Sequence, residues 1–231
     1  MKYYFSVYIF LENLYIIKYM GLIAVFDFDR TLIKRDSMVL FFLRYFNYSW
    51  KDVPDLFRLN METIKFFLKI YSQNQYKEKF LNLVVNSSRI KDLGKIADDF
   101  SKYLLKLIFR DARKRITRLK DDGYELVLLS ASPDFYLEKI KDKLGFSKLI
   151  CTKTSLKNGK IIICSENCYG ENKIKMLLDE YKKEDVDWEK SYCFADNKSD
   201  KHLLSLFGKA FVVNNKRFKK NNSNFKLLIW K

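Results

Sequence analysis

Short, uninterrupted apolar runs alternate along the chain with longer stretches of helical periodicity. Leu22–Phe26 is apolar throughout and stops at Asp27; similar runs stop at Leu129 before Ser130 and at Ala195 before Asp196. Runs this short and this apolar predict strands buried on both faces, as in a parallel sheet. Each delivers a polar residue at its C-terminal end, the edge along which open parallel sheets bind ligands.

Between the first two runs no strand pattern appears. Helical spacing covers Ser37–Phe46, Val53–Tyr71, Tyr76–Val85 and Ile90–Leu119, and clusters such as Phe80, Leu81, Val84 and Val85 suit helices packed on one another. After Ser130 the pattern predicts a helix over Phe135–Leu144, a strand over Lys148–Thr154, a turn at Asn158-Gly159, a strand over Lys160–Cys164 and a helix over Glu171–Lys182. A strand, a helix and a final strand at Ala210–Val213 complete the order. The expected fold is α/β, a doubly wound parallel sheet of Rossmann type with an all-helical cap inserted after the first strand. Its expected divisions are a leader at 1–19, a core at 20–32 and 117–215, a cap at 33–116 and a basic surface tail at 216–231.

The leader is rich in Tyr, Phe, Ile and Leu, but Glu12, Asn13 and Lys18 interrupt it short of the roughly 18 apolar residues of a spanning helix. It reads as dispensable, with translation starting at Met20, or as an interfacial anchor. Composition changes the picture mainly through charge: 44 Lys+Arg against 28 Asp+Glu give +16, which suits phosphorylated small molecules, nucleic acid or an anionic membrane surface without choosing among them. The four cysteines form no C-x-x-C pair and His202 is the single histidine, so a zinc site is not indicated. Reduced thiols are expected, with Cys193 in the core.

Asp27-Phe28-Asp29 puts two carboxylates directly after a buried strand, an arrangement that is costly unless a cation or a proton relieves the repulsion. Hard oxygen ligands at a strand end suit Mg²⁺, which binds through one or two carboxylates plus water and phosphate oxygen. Extended to Asp27-Phe28-Asp29-Arg30-Thr31-Leu32, the run resembles the first motif of the haloacid dehalogenase superfamily. Leu126-Val-Leu-Leu-Ser130-Ala131-Ser132 resembles the second motif, Gly170-Glu-Asn-Lys173 the third, and Ala195-Asp196-Asn-Lys-Ser-Asp200 the fourth.

That resemblance implies a Mg²⁺-dependent phosphatase. Asp27 would be the nucleophile, forming an aspartyl-phosphate, and Asp29 the acid/base. Ser130 and the backbone N–H of Ala131 would hold phosphoryl oxygens, and Lys173 would bridge phosphate and Asp27. Asp27, Asp29 and Asp196 would hold the metal, with Asp200, Thr31 and Arg30 in support. Arg30 and Ala195 depart from the family's pattern, since each stands where Gly is usual.

The helical insertion and the Ser-Ala-Ser-Pro form of the second motif resemble the phosphoserine phosphatase-like subgroup. Asp36 takes the place of an expected Glu, and the insertion is richer in aromatics: Phe41, Phe42, Phe46, Phe66 and Phe67. Asp36-Ser-Met-Val-Leu-Phe-Phe-Leu-Arg-Tyr45 and Glu166-Asn-Cys-Tyr-Gly-Glu-Asn-Lys173 more weakly resemble the branch containing phosphatidylglycerophosphatase C, which implies a lipid phosphate substrate and a cytoplasmic chain peripheral to the inner membrane surface. The alternatives are a soluble small-metabolite phosphatase and, from the basic tail, a nucleic-acid-binding protein or 3′-phosphatase. The converging carboxylates weigh against simple nucleic-acid binding, and the sequence is silent on oligomeric state.

Overall fold

The computed structural model describes residues 20–47, 51, 53–88, 92–221 and 224–231. The expectations for 1–19 lie outside the described residues.

Six parallel strands form the central sheet: β1 (Ile23–Phe26), β2 (Glu125–Pro133), β3 (Lys148–Thr152), β6 (Tyr192–Ala195), β7 (Lys209–Val213) and β8 (Lys226–Leu228), in the order β3-β2-β1-β6-β7-β8. Each face is apolar. Ala24, Phe26, Leu126, Leu128 and Phe194 enter one hydrophobic cluster, while Ile23, Val25, Val127, Leu129, Cys193 and Val212 enter the other. Alternating side chains buried on both sides explain why these strands read as continuous apolar runs.

The direction in which strands are added reverses between β1 and β6, so the crevice opens at their C-terminal ends. Pairing of Phe26 with Phe194, continued by the Asp27 N–H donating to the Phe194 carbonyl at 2.9 Å, places Asp27 beside the end of β6.

Between β1 and β2 the chain forms α1 (Ser37–Tyr45), α2 (Val53–Phe67), α3 (Gln73–Ser87), α4 (Leu93–Leu107) and α5 (Arg110–Asp121). The stretch expected to be one helix over Ile90–Leu119 is two. An antiparallel bridge between Ile33 and Ile108, with the Phe109 N–H donating to the Leu32 carbonyl at 3.0 Å, breaks the helix where the chain leaves the cap. The structural joint therefore falls at Ile108–Phe109 rather than at 116, and α5 packs against β2 of the core.

Cap and core share one cluster: Phe41, Leu81, Val84, Ile96, Phe100 and Leu104 pack continuously with Tyr136, Leu137 and Phe26. Of the five cap aromatics, Phe41 and Phe46 are buried, Phe42 is partly buried and Phe66 stacks on Tyr76 at 4.7 Å, leaving Phe67 exposed. Helix α2 is the exception to inward packing. None of its residues is buried, and Val53, Phe57, Met61, Ile64 and the following Leu68 project from one side into solvent.

After β2 come α6 (Asp134–Leu144) and β3, then the hairpin of β4 (Thr154–Lys157) and β5 (Lys160–Ile163). Its turn has positive φ at both Asn158 (51°) and Gly159 (74°), the type I′ geometry that matches strand twist. Helix α7 (Glu171–Glu180), the short α8 (Lys201–Leu204) and α9 (Lys216–Lys220) complete the order.

The expectation of a basic surface tail at 216–231 is corrected. Lys226–Leu228 is the sixth strand, paired with Phe211–Val213, and Phe218, Phe225 and Trp230 are buried. Basic residues face solvent while the apolar ones between them close the sheet edge.

Trp230 is 5% exposed and packs against Phe194 at 5.7 Å. Trp230→Ala should therefore cost about 3–5 kcal/mol, the range for a buried aromatic. A denaturant-unfolding loss below about 0.5 kcal/mol would return the segment to the status of a loose tail.

Candidate active site

Past β1 the chain turns instead of staying extended, with the Leu32 N–H donating to the Phe28 carbonyl at 2.8 Å. This turn separates the partners of the two carboxylates. Asp27 stays in the crevice, where Oδ1 accepts from Lys173 Nζ at 2.8 Å and Oδ2 accepts from the buried Thr31 hydroxyl at 3.3 Å. Asp29 turns toward the cap: Oδ1 accepts from the Ser37 N–H at 2.7 Å and Oδ2 from the Ser132 hydroxyl at 2.6 Å. The Ser37 hydroxyl bridges those of Ser132 and Tyr136, at 2.8 and 2.9 Å. Burial, then the charges of Asp36 and Asp27, push the Asp29 carboxyl up to about 7 against the pull of the Ser132 and Ser37 hydrogen bonds.

Lys173 arrives from the first turn of α7. Gly170, at φ 59° and ψ −127°, occupies a region closed to side-chain-bearing residues and starts that helix. Burial works against the Lys173 charge, yet Asp27 and Asp200 (3.1 Å) more than offset it and hold the ammonium well above its usual range. Asp200 is itself fully enclosed.

Asp27, Asp29, Arg30, Ser130, Ala131, Lys173, Asp196 and Asp200 all line one cavity of about 130 Å³, together with Asp36, Tyr169, Asn197 and Ser199. Thr31 stands behind it, supporting Asp27. Asp36 also caps α1, accepting from the Met38 and Val39 N–H groups at 3.0 and 3.3 Å.

The donors can be tested against a divalent cation. Asp196 is pushed up to about 7 by burial and by Asp27 and Asp200, while Arg30 and Lys173 pull it back. The Ser199 hydroxyl is buried without a hydrogen-bond partner on the cavity wall. Among the described residues no three His, Cys, Asp or Glu side chains group as a metal-binding set. Asp27 and Asp196 stand on the cavity wall as carboxylate ligands, with Asp29 beside them. Two carboxylates with main-chain, water and phosphate oxygens are the donor set that Mg²⁺ accepts, so the residues fit.

Lys77 had no place in the sequence reading. From α3 of the cap it reaches the core, donating to the Ala131 carbonyl (2.6 Å), Asn167 Oδ1 (2.5 Å) and the Thr152 hydroxyl (3.3 Å). With no carboxylate in contact, burial pushes its ammonium down to about 8. Nearby, Asn82 pairs with both backbone groups of Ile161, at 2.7 and 2.8 Å, so α3 grips the hairpin as well.

A family model for haloacid dehalogenase-like hydrolases matches residues 24–205. The chain belongs to that family. A Mycobacterium tuberculosis protein named "Probable phosphatase" is 24% identical over 196 residues, covering 83% of this chain and 68% of that one. The structure resembles a Bordetella pertussis protein of unknown function (TM-score 0.73, 18% identity, 90% of this chain and 98% of that one). It also resembles a phosphoserine phosphohydrolase-like protein from Francisella tularensis (TM-score 0.60, 20% identity, 90% and 95%). At these identities the structural likenesses speak for the fold. Among the described residues no helix of this haloacid dehalogenase-like hydrolase is long and apolar enough to cross a membrane.

Lys77 supplies a prediction about how the cap is held. In Lys77→Met, Thr152 still donates to the Ala131 carbonyl at 2.8 Å, so global stability should change less than in Trp230→Ala. Amide hydrogen exchange in 73–87 should accelerate at least about tenfold, the effect of roughly 1.4 kcal/mol of lost docking. Unchanged exchange there would show that Lys77 does not hold the cap.

Proposed function

We propose that this hydrolase cleaves phosphoric monoesters by way of a phosphoryl group carried on Asp27. The observation that supports the reading best is a buried carboxylate, Asp27, hydrogen-bonded to an equally buried ammonium, Lys173. They face a small cavity of about 130 Å³, which suits a phosphoryl group.

In this reading Lys173, the Ser130 hydroxyl and the Ala131 N–H hold the phosphoryl oxygens. Asp27 forms a bond to phosphorus as the bond to the leaving oxygen breaks, and protonated Asp29 gives that oxygen its proton. Asp29, now a carboxylate, takes a proton from a water that attacks the aspartyl-phosphate. The Asp27–phosphorus bond breaks, releasing inorganic phosphate and restoring both carboxyl groups. Ser132 and Ser37 keep Asp29 aimed throughout. A Mg²⁺ held by Asp27, Asp29 and Asp196 supplies positive charge to the phosphoryl oxygens.

Asp27→Asn should lower release of phosphate from 4-nitrophenyl phosphate by on the order of 10³-fold or more while the protein stays folded. Asp29→Ala should slow alkyl phosphates by roughly 10²–10⁴ and aryl phosphates, with their better leaving groups, by less. Chelation with verified metal removal should stop turnover, and Mg²⁺ should restore it. Activity of Asp27→Asn within tenfold of wild type would refute the nucleophile.

A lipid phosphate such as phosphatidylglycerophosphate is the finer substrate reading, and α2 favours it over a soluble phosphoserine-like metabolite. Its outward stripe includes Phe57 (69% exposed), Ile64 (51%) and Leu68 (67%). Among the described residues from 51 to 71, the exposed charges, Lys51, Arg58 and Lys69, are all basic. An apolar face with Lys51 before it and Lys69 after it in the chain suits an anionic bilayer interface, and +16 opposes burial of the face against a second copy. Co-sedimentation should show binding to anionic vesicles exceeding that to neutral ones, with Phe57→Asp plus Leu68→Asp reducing it at least about tenfold. Equal sedimentation of wild type and variant would leave the soluble-metabolite reading in its place.

A further inference from the structure

A second cavity, of about 530 Å³, adjoins the first, and Arg30 and Asp196 stand in the walls of both. Lys34 and Phe109 contribute from the two chain segments that join cap to core, Asn214 and Asn215 from the end of β7, and Trp230 from beyond β8.

Two cations, Arg30 and Lys34, stand in this wall with Asp196 beside them. Arg30 and Lys34 are exposed, and among the described residues neither makes a hydrogen bond or an ion pair. Arg30 also holds φ 59°, a left-handed conformation unfavourable for a non-glycine residue. A cation thus stands at the lip joining the two cavities, in a conformation that glycine would adopt freely. On the cap side the catalytic cavity is lined by Asp36, whose charge repels a further anion.

We propose that the second cavity receives the leaving group, and that the leaving group carries a second anionic group, a phosphate or phosphodiester, bound by Arg30 and Lys34. The proposal rests on the phosphatase reading of the first cavity. The first cavity is the smaller, about 130 Å³, and from a phosphoryl group on Asp27 the way past Arg30 leads into the larger one. The guanidinium fork matches two phosphate oxygens at once, and Lys34 adds a point charge. Phe109 and Trp230 give the spacer between the two anions an apolar wall. The same pair of anions occurs in soluble bisphosphates and in a lipid headgroup with a terminal phosphomonoester.

The test uses Asp27→Asn protein with Mg²⁺ and calorimetric binding of butane-1,4-diol bisphosphate and butyl phosphate. The bisphosphate should bind at least about tenfold more tightly, and Arg30→Asn plus Lys34→Gln should abolish that margin. Asn is chosen because it tolerates left-handed backbone. Lys102→Gln plus Lys114→Gln removes the same charge elsewhere and should preserve the margin. No margin, or one that survives substitution of Arg30 and Lys34, overturns the subsite.

Turnover separates this from the phosphatase reading. Hydrolysis of 4-nitrophenyl phosphate without a bisphosphate margin removes the subsite alone; a margin without hydrolysis removes the phosphatase alone. In the otherwise wild-type enzyme, the Arg30/Lys34 double substitution should lower kcat/KM at least tenfold for the soluble bisphosphate or for phosphatidylglycerophosphate in vesicles. The larger loss identifies the source, and less than a threefold loss for both overturns the proposal.

Discussion

The placement of one buried ammonium between two buried carboxylates governs the rest of the crevice. Lys173 lies 2.8 Å from Asp27 and 3.1 Å from Asp200, all three nearly inaccessible. Removing each ion from water costs several kcal/mol, which their mutual attraction repays only in good geometry. That geometry comes from the sheet: β1 and β6 are neighbours at the point where strand order reverses, and a glycine-started helix brings the lysine across from the side. With Asp196 added, three carboxylates face one ammonium, and an entering phosphate is anionic too. A cavity of this composition accepts an anion more readily with a further positive charge, the part the proposed dication would play beside Arg30.

The strands that bear the site were legible because both faces of the sheet are covered, which makes each strand a solid apolar run with an abrupt polar end. Asp27, Ser130 and Asp196 could be picked out on that ground alone. The end of the cap could not. Leu107-Ile108-Phe109-Arg110 holds no glycine or proline, and the break there comes from pairing with Ile33, a contact 75 residues away in sequence. Likewise β8 is a three-residue edge strand in a lysine-rich stretch. Its only signal was the apolar run Leu227 to Trp230 following the asparagines, and charge drew attention from it.

Lys77 was hidden by number: among 44 Lys+Arg, a helical lysine reads as solvated. The available clue was register. Lys77 lies four and seven residues before Leu81 and Val84, on the face that α3 buries. A long basic side chain on an apolar helical stripe either costs stability or reaches a polar partner, and here it reaches the carbonyl of the phosphate-side loop. The Ser37, Ser132 and Tyr136 hydroxyls escaped notice for a different reason, since only tertiary packing shows that three such groups surround one carboxyl.

These contacts tie the acid to the position of the cap. Asp29 receives the Ser37 N–H from the first turn of α1, and the Ala131 carbonyl receives Lys77 from α3. Both donors belong to the cap, and both acceptors belong to core residues that line the catalytic cavity, Asp29 just past β1 and Ala131 within β2. The cap returns to the core through the paired segments at Ile33 and Ile108, a two-strand connection of the kind about which hinge motions occur. Rotation that separated α3 from the loop would strip Lys77 of its acceptors and admit water around Asp29. Because burial is the largest influence raising the Asp29 carboxyl, that water would return it toward an ordinary acid, deprotonated at neutral pH and unable to protonate a leaving oxygen. In the proposed reaction, protonation of the acid, enclosure of the phosphoryl group and docking of the cap would therefore shift together.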